Sequence, residues 1–332
     1  MAAIYQVRGD ELGLPPTDVV RLICLSLLDD AGRAVERLDT AGDAETLHDF
    51  RVALRRLRGH LKAYRRDVRG WGVKELRRRL QKIASQTDTA RETEVMLTWI
   101  ESHRDLFIPE HHPEIKLFVE SLVDRQIRGY ASAGEAMIRD FPEVDSELRT
   151  ILGDESRYKQ GPDADRYTER VGVVAREQVR DMSNKLSRVR WISDADRAHR
   201  ARISAKRLRY LLEPLSSQMG EVKKRVHELQ DLQDKLGDLH DLHVLENQIG
   251  FHLDAYRRDN SAWVEQLAEY ASGGVALPQK SERDALLALA GRVKTEQQAL
   301  YAPLQEQWLG ERAAPFIQGV EHLVERIAAT GS

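Results

Sequence analysis

"LHDFRVALRRLRGHL" at 47–61 and "AHRARISAKRLRYLL" at 198–212 are the stretches whose comparison decides the fold. Laid over one another, they place His48 on His199, Arg51 on Arg202, Arg55 on Lys206, Arg56 on Arg207, Leu57 on Leu208 and Arg58 on Arg209. Downstream, "LRRRLQKIASQTDTARETEV" (76–95) falls on "RVHELQDLQDKLGDLHDLHV" (225–244), with Arg91-Glu92 opposite His240-Asp241. An acidic candidate N-cap precedes each histidine at the same distance, Asp43 and Asp194. The offset is about 150 residues in both places, far beyond the roughly 20–50 residues of a solenoid repeat. Two halves with one helix order, joined near Gly161-Pro162, are the simplest account.

Between these stretches apolar residues recur at three- and four-residue spacing, and Pro (10) and Gly (21) are too sparse to interrupt them often. The chain reads as all-α, with no convincing strand. Breaks are expected at "LPP" (14–16), "GWG" (70–72), "FPE" (141–143), "QGPDAD" (160–165) and "SGGVALP" (272–278). These divide the chain into a tail (1–16), a first helical half (17–160) and a second (161–332). Each half is long enough for its own antiparallel bundle of about four long helices, and a pseudo-twofold axis is expected to relate them.

Charge is where the sequence points to function. The total is only -3, yet residues 51–82 carry a net +11 and residues 197–225 a net +7, so the remainder holds -21. At 100° per residue, Leu47, Phe50, Leu54, Leu57, Leu61 and Val68 form a core-facing stripe. Beside it climb Arg51, Arg55, Arg58, Lys62 and Arg65, with His48 at the near end. In the second copy Leu208 and Leu212 face the core, and His199, Arg202, Lys206 and Arg209 form the adjoining ribbon. The next helix adds Lys74, Arg78 and Lys82 on one side, with Lys223 and His227 as counterparts.

A run of charge on a helix is ordinarily a solvated face, but such faces mix signs so that acids and bases pair one turn apart. Here Asp49 and Asp67 are the only acids from 48 to 69, and neither relieves the ribbon between Arg51 and Lys62. Either an external polyanion completes these rows, or acidic helices elsewhere in the molecule neutralise them. Arginine suits phosphate, because its planar fork donates two parallel hydrogen bonds and keeps its charge. The two histidines have two readings, structural support or a proton-dependent phosphate contact.

The single cysteine, Cys24, lies in an apolar run and cannot form an internal disulfide, so a packed thiol in a reducing compartment is expected. No stretch approaches the ~18 apolar residues of a membrane span, and "MAAIYQVRGDELGLPP" lacks the layout of a secretion signal. A cytoplasmic protein is expected.

"LHDFRVALRRLRGHL" and "AHRARISAKRLRYLLE", each followed by a helix ending near "TARETEV" or "LGDLHDLHV", resemble the two halves of a CHAD domain, a histidine-containing α-helical family, over roughly residues 17–325. The resemblance rests on His-x-x-Arg-x-x-x-Arg/Lys-Arg-Leu-Arg occurring twice. It implies a helical protein that binds inorganic polyphosphate in a basic central cleft and can be recruited to polyphosphate granules. By position the role falls on His48, Arg51, Arg55, Arg56 and Arg58, and on His199, Arg202, Lys206, Arg207 and Arg209. The chain departs from the pattern at "TDTARETEV", which replaces the usual Leu-Gly and Arg-Asp, and at His240, where Arg is common. "IYQVRGDEL" lacks the alternating Glu-x-Glu-x-Lys strand of the CYTH triphosphatases that often precede such domains, so a binding module without enzymatic activity or cofactor is expected.

Two rivals remain at this level. A metal-dependent phosphohydrolase would need a site assembled from Asp238, His240, Asp241, His243 and Glu246, or from the "HHPE" loop at 111–114. The alternation of Leu239, Leu242 and Leu245 with the first set reads instead as an amphipathic helix. A nucleic-acid binder would interleave aromatics for base stacking, whereas Tyr64 lies on the apolar side and Tyr210 is alone on the basic side.

Overall fold

The computed structural model describes residues 4–38, 44–104, 112–154, 165–270 and 281–330, with no description of the side chains of 112–114, 256–270 and 281–283. Asp43, the Gly161-Pro162 junction, His111 and the "SGGVALP" segment therefore lie outside what is described, while His112, Pro113 and Glu114, expected in a loop, belong to the first turn of a helix. The described residues form helices and no strand, as the spacing of apolar residues requires. The long helices are α1 (Pro16–Glu36), α2 (Ala44–Ala63), α3 (Lys74–Gln86), α4 (Asp88–Ser102), α5 (His112–Glu135), α6 (Phe141–Gly153), α7 (Tyr167–Leu186), α8 (Ala195–Leu212), α9 (Gly220–Tyr270), α10 (Ser281–Trp308) and α11 (Ala314–Ala329).

The breaks have local causes. Pro16 opens α1, where a missing N–H is harmless. Gly72 ends a 3-10 turn in the left-handed region (φ 73) that a side chain disfavours. A π-helical turn, Ala136–Asp140, leads into α6, whose first turn carries Pro142. Asp194 stands at the N-cap of α8, but its carboxylate accepts hydrogen bonds from the Arg190 and Trp191 amides (2.9 and 3.0 Å) and from the Arg197 guanidinium (2.8 Å), and not from the backbone amides of the helix.

The α2 stripe is buried as its spacing requires: Leu47, Phe50, Leu54, Leu57, Leu61 and Val68 are all at most 2% exposed. Phe50 meets Phe141 of α6 edge-on at 5.2 Å, and each such side chain contributes roughly 1.5–3 kcal/mol on burial. α1 packs on α2 and α7 on α8; α4 packs on α5 and α9 on α10; α2 also meets α8, and α4 meets α9.

The hydrophobic cores are not divided near residue 160, as separate bundles for the two halves would require. One core joins residues from Val7 to Ile327, drawing on α1, α2, α3, α6, α7, α8, α11 and the first part of α9, with Ala90 of α4, Ala133 of α5 and Leu304 and Trp308 of α10. The other joins Met96 and Ile100 of α4, Phe118 and Leu122 of α5, Leu242, Leu245 and Ile249 of α9, and Leu286, Leu289 and Val293 of α10. α9 is long enough to serve both, since 51 residues span about 75 Å. Residues 4–15 are docked on the first core: the Val7 amide donates to the Pro214 carbonyl and Gln218 donates to the Val7 carbonyl, both at 2.8 Å. Cys24 is fully buried, and desolvation pushes its thiol pKa up to about 12.

Candidate functional site

Because α2 packs on α8, the two basic ribbons meet. Spacings of four and three along α8 put Arg202, Lys206 and Arg209 on one face, and Arg51 and Arg55 of α2 approach Lys206 across the helix pair. Lys206 is only 8% exposed and has no hydrogen-bond or ion-pair partner among the described residues. Burial first, then the charges of Arg55, Arg202, Arg209 and Arg51, bring its pKa down to about 6. Asp241 of α9 is in reach of both Lys206 and Arg202, and Asp234 and Asp238 of the same helix also lie near Arg202; burial raises the pKa of Asp238 and Asp241.

The ribbon continues past Lys206. Arg58 lies near Arg55, Arg77 and Arg207, with Asp88 as its nearest opposing charge. Lys62 lies near Arg207, Arg77, Lys185 and Arg65, and burial lowers the pKa of both. Arg51 donates to Thr87 Oγ1 (2.5 Å) and to Asp88 (2.9 Å), anchored at the break between α3 and α4. Thr87 itself donates to the Ala84 carbonyl at 2.6 Å, taking up a carbonyl that a continuous helix would use. Gly237 lets Arg202 lie against α9, since a Cβ there would stand 3.0 Å from Nε.

The histidines flank this row. His48 is exposed, with its pKa lowered by partial burial and Arg91. His199 is half-buried, lowered by burial and then by Arg202 and Lys206, and its ring centroid is 4.2 Å from that of His240. Burial and His199 take His240 down to about 4.

Two residues assigned to the polyanion are committed elsewhere. Arg56 is buried and holds Glu213 through Nε at 3.1 Å, and Arg209 takes the other oxygen of the same carboxylate at 2.9 Å. Both guanidiniums stack on the buried Tyr210 ring, at 5.3 and 4.9 Å, and Arg209 also donates to Gln233. A buried ion pair of this kind is closed on itself, because opening it would strand a carboxylate. Arg207, the counterpart of Arg56, faces Lys62 and Arg58 instead.

Lys74, Arg78, Lys82 and Lys223 are exposed, and Arg78 pairs with Glu75 at 2.8 Å. The α3 residue that reaches the α2 ribbon is Arg77. Its signal is its position 100° from Leu76, flanking the core stripe as the α2 ribbon does, whereas 74, 78 and 82 point away from the core. His243 donates through Nε2 to the Ile192 carbonyl at 3.0 Å. Among the described residues no group of three His, Cys, Asp or Glu is placed to hold a metal ion. Among the described residues no helix is long and apolar enough to cross a membrane.

Comparison with known proteins follows the same lines. The chain resembles the crystal structure of the CHAD domain from the plant Ricinus communis, at a TM-score of 0.65 and 19% identity over 92% of this chain and 95% of that one. It also resembles PptA from Streptomyces chartreusis, at a TM-score of 0.63 and 14% identity over 89% and 99%. At these identities the likeness shows a shared fold. A search of curated proteins returns no match. The CHAD domain family model matches residues 25–249, which takes in both basic ribbons and the helices that carry them, and this chain belongs to the CHAD domain family.

Proposed function

We propose that the chain binds inorganic polyphosphate in the cleft where α2 meets α8, without catalysing its turnover, and that this binding can bring it to polyphosphate granules. The observation that carries the reading is the local imbalance of charge. Arg51, Arg55, Arg58, Lys62, Arg77, Arg202, Lys206 and Arg207 converge; Asp88 and Glu92 lie near Arg51, Asp181 near Arg207, and Asp234, Asp238 and Asp241 near Arg202, whereas the charges that act most on Lys62 and Arg77 are all cationic. Asp181 is already held by Lys185 at 2.5 Å and by Ser204. A chain of phosphates supplies the missing charge at regular spacing, and each guanidinium grips two of its oxygens. We read the ribbons as two copies of one unit facing each other across a pseudo-twofold axis.

Nucleic acid is the weaker reading, since Tyr64 and Tyr210 are buried, with 0 and 4% exposed, and leave no stacking platform on the ribbons. Arg55→Glu combined with Lys206→Glu tests the assignment: polyphosphate binding should be lost with the helical circular dichroism intact. Retention of wild-type affinity refutes it. Polyphosphate should also displace DNA at equal phosphate concentration; DNA holding its place would favour the nucleic-acid reading.

A further inference from the structure

We propose that the cavity between α4, α9 and α10 binds a short α,ω-diamine, with one ammonium at Asp238 and Asp241 and the other between His103 and Glu296. The cavity holds about 210 Å³, below the roughly 300–1,000 Å³ of sites for drug-sized molecules. Met96 and Trp99 of α4, Leu242 and Leu245 of α9 and Leu300 of α10 make its wall apolar, at the edge of the second core. Positions 238, 241, 242 and 245 share one face of α9, so two carboxylates and two leucines line the cavity together. Asp238 and Asp241 form no hydrogen bond or ion pair with the described residues. Lys235, near Asp238, is paired with Asp231 at 3.5 Å, and Arg202 acts on both carboxylates from beyond ion-pair distance.

The far end of the cavity has acceptors of its own. His103 donates through Nδ1 to the Trp99 carbonyl at 2.9 Å, so in the neutral ring Nε2 is an acceptor. The same ring is stacked on Trp99, with centroids 4.3 Å apart. Nε2 stands 3.9 Å from the Glu296 carboxylate, too far for a hydrogen bond between the two and close enough for one ammonium to donate to both. Glu296 accepts no hydrogen bond among the described residues, and Arg292 approaches it only to 3.8 Å. Lys294 and Gln297 reach Glu246 at 2.5 and 2.8 Å, which sets Glu296 level with position 246 of α9. Asp238 and Asp241 precede that position by two turns or less, about 8–12 Å along the axis. Acidic ends so far apart do not converge on a metal ion among the described residues. They match an alkyl chain with an ammonium at each end, and the Trp99 ring adds a face that favours a cation. The site lies outside the α2–α8 cleft and does not rest on the polyphosphate reading.

Calorimetric titration of the five-carbon diamine cadaverine into the full chain at pH 8, with no polyphosphate present, tests the inference independently of the cleft. One diamine should bind per chain. Pentylamine, which reaches one end only, should bind at least about tenfold more weakly, the loss expected for one charge-assisted contact. Asp238→Asn and Glu296→Gln should each weaken the diamine by about tenfold with the helical circular dichroism intact. Leu300→Phe, which narrows the cavity without changing its charge, should weaken binding as well. Absence of saturable binding, a monoamine held as tightly as the diamine, or wild-type affinity in Glu296→Gln or Leu300→Phe overturns the proposal.

Discussion

Replacing Lys206 with Met should stabilise the protein, and by more as the pH falls. Met matches the length of the lysine stem and removes the amine, so the packing around α8 is retained. In the folded chain the ammonium is disfavoured down to a pKa of about 6, whereas the unfolded chain keeps the ordinary value near 10.4. Between these values the unfolded state binds more protons, so the lysine's contribution to stability rises with pH. At about 1.36 kcal/mol per unit, its cost is about 5 kcal/mol at pH 7 and about 2 kcal/mol at pH 9 as upper limits; relaxation of the surrounding arginines reduces both. Urea denaturation of wild type and Lys206→Met at the two pH values measures the difference. The variant should gain at least about 1 kcal/mol more at pH 7 than at pH 9. A variant that is less stable than wild type, or whose effect is independent of pH, would refute the reasoning that this amine is held uncharged against its preference.

Other expectations concern the scaffold and the ligand. Glu213→Gln leaves Arg56 and Arg209 buried without their shared carboxylate and should cost about 3–5 kcal/mol in urea denaturation; a loss below 1 kcal/mol would mean that the guanidiniums find other acceptors. Gly129→Ala would place a Cβ 2.7 Å from the Ala90 amide nitrogen, where α5 crosses α4, and should cost about 1–3 kcal/mol. Gly134→Ala, whose Cβ would meet the Leu38 side chain at 4.0 Å, should be neutral or slightly stabilising in the same assay. Polyphosphate affinity should fall steeply with salt, with a log–log slope of about -3 or steeper if four or more cations engage the chain; a flat response would mean that the ribbons are not the binding surface.

The core-facing stripe of α2 and the cation row beside it were legible in the sequence, because helical spacing alone separates Leu54 and Leu57 from Arg51, Arg55 and Arg58. Periodicity cannot see partners distant in the chain, and these decide which cations are free. Glu213, at the end of α8, removes Arg56 and Arg209 from the surface, although both belong to the motif. Choosing the outer face of α3 pointed to Lys74, Arg78 and Lys82, whereas the flanking Arg77 reaches the ribbon. The expected helix ends at "TARETEV" and "LGDLHDLHV" also differ from the fold. α4 begins at Asp88 and runs through the first, and α9 passes through the second without a break, because Gly237 fits helical geometry and is used for the approach of Arg202. The cores were illegible as units because α4, α5, α9 and α10 each enter both, and no local pattern reports how far a helix extends beyond its own bundle.

The central claim is that a buried, uncharged lysine and its surrounding guanidiniums await external phosphate. Calorimetric titration of polyphosphate into the wild-type chain at pH 7, in two buffers of different ionisation enthalpy, counts the protons that move. A polyanion beside Lys206 restores its charge, so binding should take up close to one proton per site. Binding without proton uptake, or no binding at all, would contradict the account.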